Sequence, residues 1–305
     1  KDTAIVRARL CDAIMARNAY HTALVELAHW ATVPLVNGLT DDYDHPVQSL
    51  TDAFTIWEAT GRLAGQKLAF LGKVSDAMAT SVALTCTKLG IDVTLGGPAD
   101  HQMAPATQDL VRANCRESGA TLSLTDDPVE AVAGADFVYT VLWWWLEEGE
   151  AREALRRTYA PYRVDEALMA KARPGARFMD CLPAVRGEEA TDGVMDGPLS
   201  LCFDQAENRK HLQKAVLLAL IGIDDLPSDP DLAEVGRALA THPKVLLADE
   251  SRLHLPDEDS LGQHEAEARL RLERSLRRRL ERQRYPKVLH EIEPVPPEGF
   301  PAPEA

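Results

Sequence analysis

Short apolar runs alternate with amphipathic segments along most of this chain. The apolar runs are bounded by Gly, Asp or Pro, which predicts buried strands separated by turns. Between them, apolar residues recur every three or four positions, which predicts helices that pack on the strands. The predicted strands are residues 12–16, 33–38, 67–72, 92–95, 120–124, 136–143 and 177–181. The predicted helices are a first helix from about residue 3, and residues 23–31, 46–60, 76–89, 104–118, 128–133, 164–170 and 207–221.

This alternation of strands and helices predicts an α/β fold with doubly wound parallel sheets. Such sheets bind ligands beyond the carboxyl ends of their strands. Four of the predicted strands end at or next to Arg17, Gly72, Trp143 and Cys181. We therefore expect the chemistry of the protein at these positions.

The pattern changes after residue 223. Residues 224–231 are acidic and rich in Pro, as in a linker, and residues 294–305 predict an extended or disordered end. Residues 265–284 predict an amphipathic helix with many arginines, which we expect to dock on the acidic surface of its own chain. Binding of nucleic acid by this helix is the alternative, and the lack of interleaved aromatic residues counts against it.

Composition narrows the class of protein. The chain has 305 residues and is 45% hydrophobic, which suits about two globular domains. Its net charge of −15 disfavours nucleic-acid and membrane partners. There is no long apolar run and no signal-peptide pattern, so we expect a cytoplasmic location. The five cysteines and nine histidines form no ligand-like cluster, so we expect no disulfide, no metal and no cofactor.

Four candidate site residues lie in polar motifs. His45 and Gln48 open a predicted helix, where free N–H groups can cradle an anion or a polarised carbonyl, although a structural cap is the alternative. Arg17 can clamp an oxyanion at a strand end, or simply lie at the surface. Arg209 falls near the predicted start of a helix, where a cation is disfavoured and a bound anion would offset it.

Residues 180–183 read DCLP and follow a predicted strand at the ligand edge. Cys181 there is either part of a site or a small buried filler.

Taken together and in order, these segments resemble the aspartate/ornithine carbamoyltransferase family, specifically its ornithine carbamoyltransferase-like branch. The matching segments are DAIMAR (12–17), VPLVNGLT (33–40), HPVQ (45–48), LAFLG (68–72), DCLPAVRGEE (180–189) and FDQAENR (203–209). The resemblance covers about residues 2–222. It implies two α/β domains joined by helices, and a homotrimer with active sites at subunit interfaces.

The resemblance also implies a division of the chain and a set of roles. The implied parts are a carbamoyl phosphate domain (1–60), an acceptor-binding domain (61–205), a returning helix (206–222) and a C-terminal extension (223–305). Arg17, His45 and Gln48 match positions that hold the carbamoyl group of carbamoyl phosphate. Cys181 and Leu182 match a loop that touches the carbamoyl group and the attacking amine. Arg209 matches an arginine that returns to the site.

Three departures from the family pattern change the expectation. The phosphate-binding Ser-x-Arg-Thr-Arg segment does not occur in the sequence, and we expect it upstream of Lys1. Val141 stands where the family has an aspartate for the α-ammonium of ornithine, and Trp145 begins the segment that replaces Ser-Met-Gly. Asp76 stands where the family has an asparagine that contacts the α-carboxylate, and Asp180 stands where the family has a histidine.

We expect these changes to alter the acceptor. A negative Asp76 at 4 Å would repel an α-carboxylate by about 4 kcal/mol at an effective dielectric constant near 20. Asp180 could attract a cationic amine, and Trp144 and Trp145 could wall a bulky acceptor. The predicted function is carbamoyl transfer from carbamoyl phosphate to a small amine other than plain ornithine. The alternatives are an ornithine carbamoyltransferase of arginine metabolism and a catalytically inactive binding or regulatory protein.

Overall fold

A computed structural model describes residues 1–144 and 148–221. Its N-terminal part contains two parallel strands, β1 and β2, that pair with each other in a two-stranded sheet. The elements of this part are α1 (Asp2–Leu10), β1 (Ile14–Asn18), α2 (His21–Trp30), β2 (Leu35–Thr40) and α3 (Pro46–Thr60). Pro46 occupies the first turn of α3, where its missing N–H has no helical partner to lose.

The second part is built on a five-stranded parallel sheet with the order β5-β4-β3-β6-β7. Its elements are β3 (Lys67–Leu71), α4 (Ala77–Lys88), β4 (Asp92–Gly96), α5 (Pro105–Ser118), β5 (Leu122–Thr125), α6 (Pro128–Val132), β6 (Phe137–Thr140), α7 (Gly149–Tyr159), α8 (Glu166–Met169), β7 (Arg177–Asp180), α9 (Asp192–Met195) and α10 (Cys202–Ile221). The chain builds outward from β3 to β5 and then returns to β6 and β7. The strand order therefore reverses between β3 and β6, where sheets of this kind open a crevice for ligands.

Both faces of the five-stranded sheet are buried, as its nearly continuous apolar strands require. On one face Phe70 and Tyr139 stack with ring centroids 5.2 Å apart, and Val82 of α4 belongs to the same cluster. On the other face Leu71 and Phe178 pack with residues of α6, α8 and α9. Each fully buried large apolar side chain contributes about 1.5–3 kcal/mol to folding.

Helix α3 connects the two parts, because it packs against both α4 and α10. Val47 of α3 packs with Leu212 and Val216 of α10 in a third apolar cluster. Asn208 of α10 adds a polar tie, since its Nδ2 donates a hydrogen bond to Thr55 Oγ1 at 3.1 Å. This packing brings the middle of α10 beside the N-terminal turn of α3.

The structure confirms the predicted α/β fold with parallel sheets, and it moves several element ends. Strand β6 stops at Thr140 instead of residue 143, since Trp143 leaves the sheet and packs its buried ring against Tyr159, with centroids 6.0 Å apart. Helix α10 begins at Cys202 instead of residue 207. Helix α7 was not predicted, because Tyr159 is its one buried residue and most of the rest are charged or polar.

Part of the sequence prediction lies outside the described residues. This holds for the linker at 224–231, the basic helix at 265–284, the end at 294–305 and Trp145. Within the described part of the chain, no helix is both long and apolar enough to cross a membrane.

Gly72, directly after β3, provides a test of the packing of Trp143. Its φ is +96°, and an added Cβ would lie 2.8 Å from Trp143 Nε1. We expect Gly72→Ala to lower the free energy of unfolding by about 1–2 kcal/mol for the positive φ, plus a further loss for displacing the ring. Urea denaturation measures this change.

Gly119→Ala is the matched control, because Gly119 has φ +82° and open space around an added Cβ. An equal loss in the two variants would show that Trp143 yields without cost.

Candidate functional site

A cleft of about 400 Å³ lies at the carboxyl edge of both sheets. It is lined by residues that end or follow β1, β2, β3, β6 and β7, together with residues of α4 and α10 and the start of α3. Most of the residues predicted from the sequence line this cleft: Arg17, His45, Asp76, Val141, Cys181, Leu182 and Arg209. The fold therefore gathers them from six separate places in the chain.

The positive end of the cleft contains Arg17 and Arg209. Arg17 is half-exposed at the end of β1, and its Nη2 lies 3.1 Å from Asp41 Oδ1. Arg209 lies two turns into α10, so the prediction that it sits at a helix start is wrong. A bound anion is therefore not needed to offset an unfavourable cation at the N-terminus of a helix. Both guanidinium groups can nevertheless bind an oxyanion in the cleft.

Arg209 is held by two residues of the first turn of α3. Its Nη1 donates a hydrogen bond to Gln48 Oε1 at 2.7 Å and lies 3.3 Å from His45 Nε2. Burial, followed by the charges of Arg209 and Arg17, lowers the pKa of His45 from 6.5 to about 3. His45 is therefore a neutral imidazole, and accepting from Arg209 at Nε2 leaves its proton on Nδ1.

Gln48 itself lies behind the cleft, and Asp52 fixes its orientation. The fully buried carboxyl of Asp52 accepts hydrogen bonds from Gln48 Nε2 at 2.8 Å, Gln205 Nε2 at 2.6 Å and Tyr139 O–H at 3.1 Å. Since the amide nitrogen of Gln48 points to Asp52, its oxygen points to Arg209. Burial raises the pKa of Asp52 from 3.8 to about 7, against these hydrogen bonds.

Cys181 and Leu182 form the wall of the cleft after β7. Leu182 has φ +55°, an uncommon conformation for a residue with a side chain, and its N–H donates to Asp180 Oδ1 at 2.7 Å. Burial raises the pKa of the Cys181 thiol well above its usual value. Cys181 is thus a neutral thiol, suited to contact and not to nucleophilic attack.

Asp180 and Trp144 lie outside the cleft, contrary to the sequence-based expectation. Asp180 is fully buried beneath the loop and does not line the cleft, and burial raises its pKa well above 3.8. Trp144 instead donates from Nε1 to Glu188 Oε2 at 2.7 Å, with the Arg152 guanidinium 3.7 Å from its ring centroid. Direct contact of either residue with a substrate has no support from this arrangement.

The structure also adds residues that the sequence reasoning missed. Lys73 lines the cleft, and its Nζ lies 3.6 Å from Asp76 Oδ2. Lys73 directly follows Gly72 at a predicted strand end, and this position could have marked it as a candidate site residue. Asp52, Tyr139 and Gln205 carried no such signal, because their contacts join residues far apart in the sequence.

Two family profiles match the chain. The aspartate/ornithine carbamoyltransferase, carbamoyl-P binding domain, matches residues 1–58. The aspartate/ornithine carbamoyltransferase, Asp/Orn binding domain, matches residues 64–220. Arg17, His45 and Gln48 fall in the first match, and the other cleft residues predicted from the sequence fall in the second.

Individual proteins give the same picture. The ornithine carbamoyltransferase of Anoxybacillus flavithermus is 45% identical over 221 residues, which is 72% of this chain and 69% of that protein. The structure of ornithine carbamoyltransferase from Pyrococcus furiosus superposes with a TM-score of 0.70 at 42% identity, covering 73% of this chain and 71% of that one. A mutant of N-acetyl-L-ornithine transcarbamylase, complexed with PALAO, gives a TM-score of 0.64 at 33% identity, covering 72% and 71%.

The raised pKa of Asp52 predicts a pH dependence of stability. The folded-state pKa exceeds the unfolded value, so the fold favours the protonated carboxyl of Asp52. The stability that this carboxyl contributes is fully present below about pH 4 and is lost as pH rises to about 7. The shift corresponds to on the order of 4 kcal/mol. We expect Asp52→Asn, which keeps the shape and cannot ionise, to gain stability relative to the wild type over this range.

Urea denaturation of both proteins at several pH values between 4 and 7.5 measures the difference. Parallel stability curves would show that Asp52 keeps its ordinary pKa in the folded protein.

The charge of Arg209 predicts a change in His45. We expect Arg209→Met to raise the pKa of His45, while leaving it below 6.5 because burial, the largest cause, remains. NMR titration of the imidazole measures the pKa. Arg17→Met is the matched comparison and should give a smaller rise, since Arg17 contributes less to the shift. An unchanged pKa in Arg209→Met would contradict the arrangement.

Proposed function

The chain belongs to the aspartate/ornithine carbamoyltransferase family and is a carbamoyltransferase; on this premise we propose that its acceptor is ornithine. The names of the relatives carry the proposal, since proteins 42–45% identical over 221 residues are called ornithine carbamoyltransferases. These relatives favour ornithine over the different acceptor that the substitutions at the site led us to expect.

The carbamoyl phosphate end of the cleft suits this reaction. The amine attacks the carbamoyl carbon, negative charge grows on the carbonyl oxygen, and the bond to the phosphate oxygen then breaks. Arg17, His45 and Arg209 lie together at this end of the cleft, where fixed donors and cations stabilise both the oxygen and the departing phosphate. Gln48, locked between Arg209 and Asp52, keeps the arginine in place. The amine nitrogen finally loses a proton, which the departing phosphate can accept, as the carbamoylated product forms.

The acceptor end suits an amine on a methylene chain. Val141, Met78 and Leu182 give the cleft apolar walls beside the neutral Cys181 thiol. An apolar setting lowers the pKa of an ammonium group, which favours the neutral amine that attacks. It also accommodates the methylene groups between the amine and the amino-acid head.

A second candidate acceptor is an ornithine whose α-amine is masked. The buried, apolar Val141 favours it, because the resemblance places there a carboxylate that would pair with a free α-ammonium. The similarity to an N-acetyl-L-ornithine transcarbamylase fits the same idea.

The assembly forms part of the proposal. We propose a carbamoyl phosphate part (1–60), an acceptor part (61–205) and a returning helix (206–222), in a homotrimer whose subunits complete one another's sites. The two family matches, at residues 1–58 and 64–220, support this division.

Acceptor assays test the function. We expect the purified protein to release phosphate from carbamoyl phosphate when ornithine is present, and to form the carbamoylated product. Arg17→Met should lower kcat by about 10²–10³-fold, the usual cost of removing one such donor.

The same assay with N-acetyl-L-ornithine separates the candidates. A higher kcat/KM for the acetylated compound would replace ornithine by the masked acceptor. If the protein turned over neither amine, an inactive binding protein would be the remaining alternative.

A further inference from the structure

We propose that Lys73 and Asp76 together bind the charged head of the acceptor amino acid, Lys73 its α-carboxylate and Asp76 its α-ammonium. The inference deepens the proposed function and rests on it. It adds a specificity-determining pair on the acceptor side of the cleft.

The position of the pair in the fold is the first argument. Lys73 follows β3 at the point where the strand order of the sheet reverses, and Asp76 immediately precedes α4. Both side chains line the same cleft as Val141, Cys181 and Leu182. Their side chains are 24% and 26% exposed, so each is mostly sheltered and still reachable from the cleft.

The charges around the cleft are the second argument. The part of the cleft within the Asp/Orn binding match contains three charged residues among those that the structure describes: Lys73, Asp76 and Arg209. Arg209 is directed to Gln48 and His45 on the carbamoyl phosphate side. One cation and one anion therefore remain for the acceptor, which is the combination that a zwitterionic head requires.

The geometry of the pair is the third argument. Asp76 is fixed because its Oδ1 accepts the N–H of Met78 at 2.8 Å, which leaves Oδ2 facing Lys73 Nζ at 3.6 Å. A zwitterion placed antiparallel to this pair would give every charge an opposite neighbour. Lys73 also removes the repulsion that a lone Asp76 would exert on an α-carboxylate.

The alternative is an ion pair that only stabilises the start of α4. Such a pair would affect stability and would not distinguish one acceptor from another. The test therefore compares acceptors that lack one charge each: 1,4-diaminobutane has no carboxylate, and 5-aminopentanoate has no α-amine. Steady-state kinetics with these two compounds and with ornithine, at saturating carbamoyl phosphate, give KM and kcat separately.

For Lys73→Met we expect KM to rise about tenfold or more for ornithine and 5-aminopentanoate, with little change for 1,4-diaminobutane. Lys73→Arg keeps the positive charge and should restore KM to near its original value. Lys67→Met is the matched control, because Lys67 is exposed at the opposite end of the same strand.

For Asp76→Asn the expected pattern is the reverse. KM should rise for ornithine and 1,4-diaminobutane and stay nearly constant for 5-aminopentanoate. Asparagine caps helices about as well as aspartate, so this variant keeps the start of α4 intact.

Equal changes in KM for all three acceptors, or no change, would overturn the inference. The proposed function would still stand if the wild type turned over ornithine. If the wild type turned over no amine with an α-carboxylate, both would fall.

Discussion

The buried carboxyl of Asp52 is the constraint on which the site depends. A carboxyl group with no exposed surface is costly unless hydrogen bonds satisfy it. Here the donors come from α3 itself, from Tyr139 in β6 and from Gln205 in α10. These elements must therefore keep a fixed relation to one another. Since Gln48 and Arg209 belong to the same connected set, this fixed relation reaches the cleft directly.

The topology of the sheet explains why the cleft lies where it does. Parallel strands bring their carboxyl ends to one edge, and the reversal of strand order between β3 and β6 opens that edge. Helix α3 then carries His45 to the same place because it packs on α4 and α10. Sheet topology thus supplies the crevice, and Arg17 of β1 and Arg209 of α10 supply the cations at one end of it.

Periodicity predicted the parallel α/β fold, because apolar runs and helical spacing follow from burial alone. It failed where burial and polarity disagree. Helix α10 begins with an exposed Phe203 and a buried Gln205, so its first turn shows no apolar face in the sequence. Motif order predicted most of the cleft residues. Contacts such as Tyr139 with Asp52 could not be predicted, since no spacing pattern joins residues so far apart.

The two aspartates of the acceptor region show what a sequence cannot convey about charge. From sequence alone, both read as added negative charges near the acceptor, Asp76 at its α-carboxylate and Asp180 at its amine. In the fold, Asp180 is fully buried away from the cleft, and burial raises its pKa well above the usual value. Asp76 instead lies at the cleft beside Lys73, where its charge has an adjacent partner. The two aspartates thus present their carboxyl groups differently, one inside the fold and one at the cleft, and the difference is set by burial and the nearest cation.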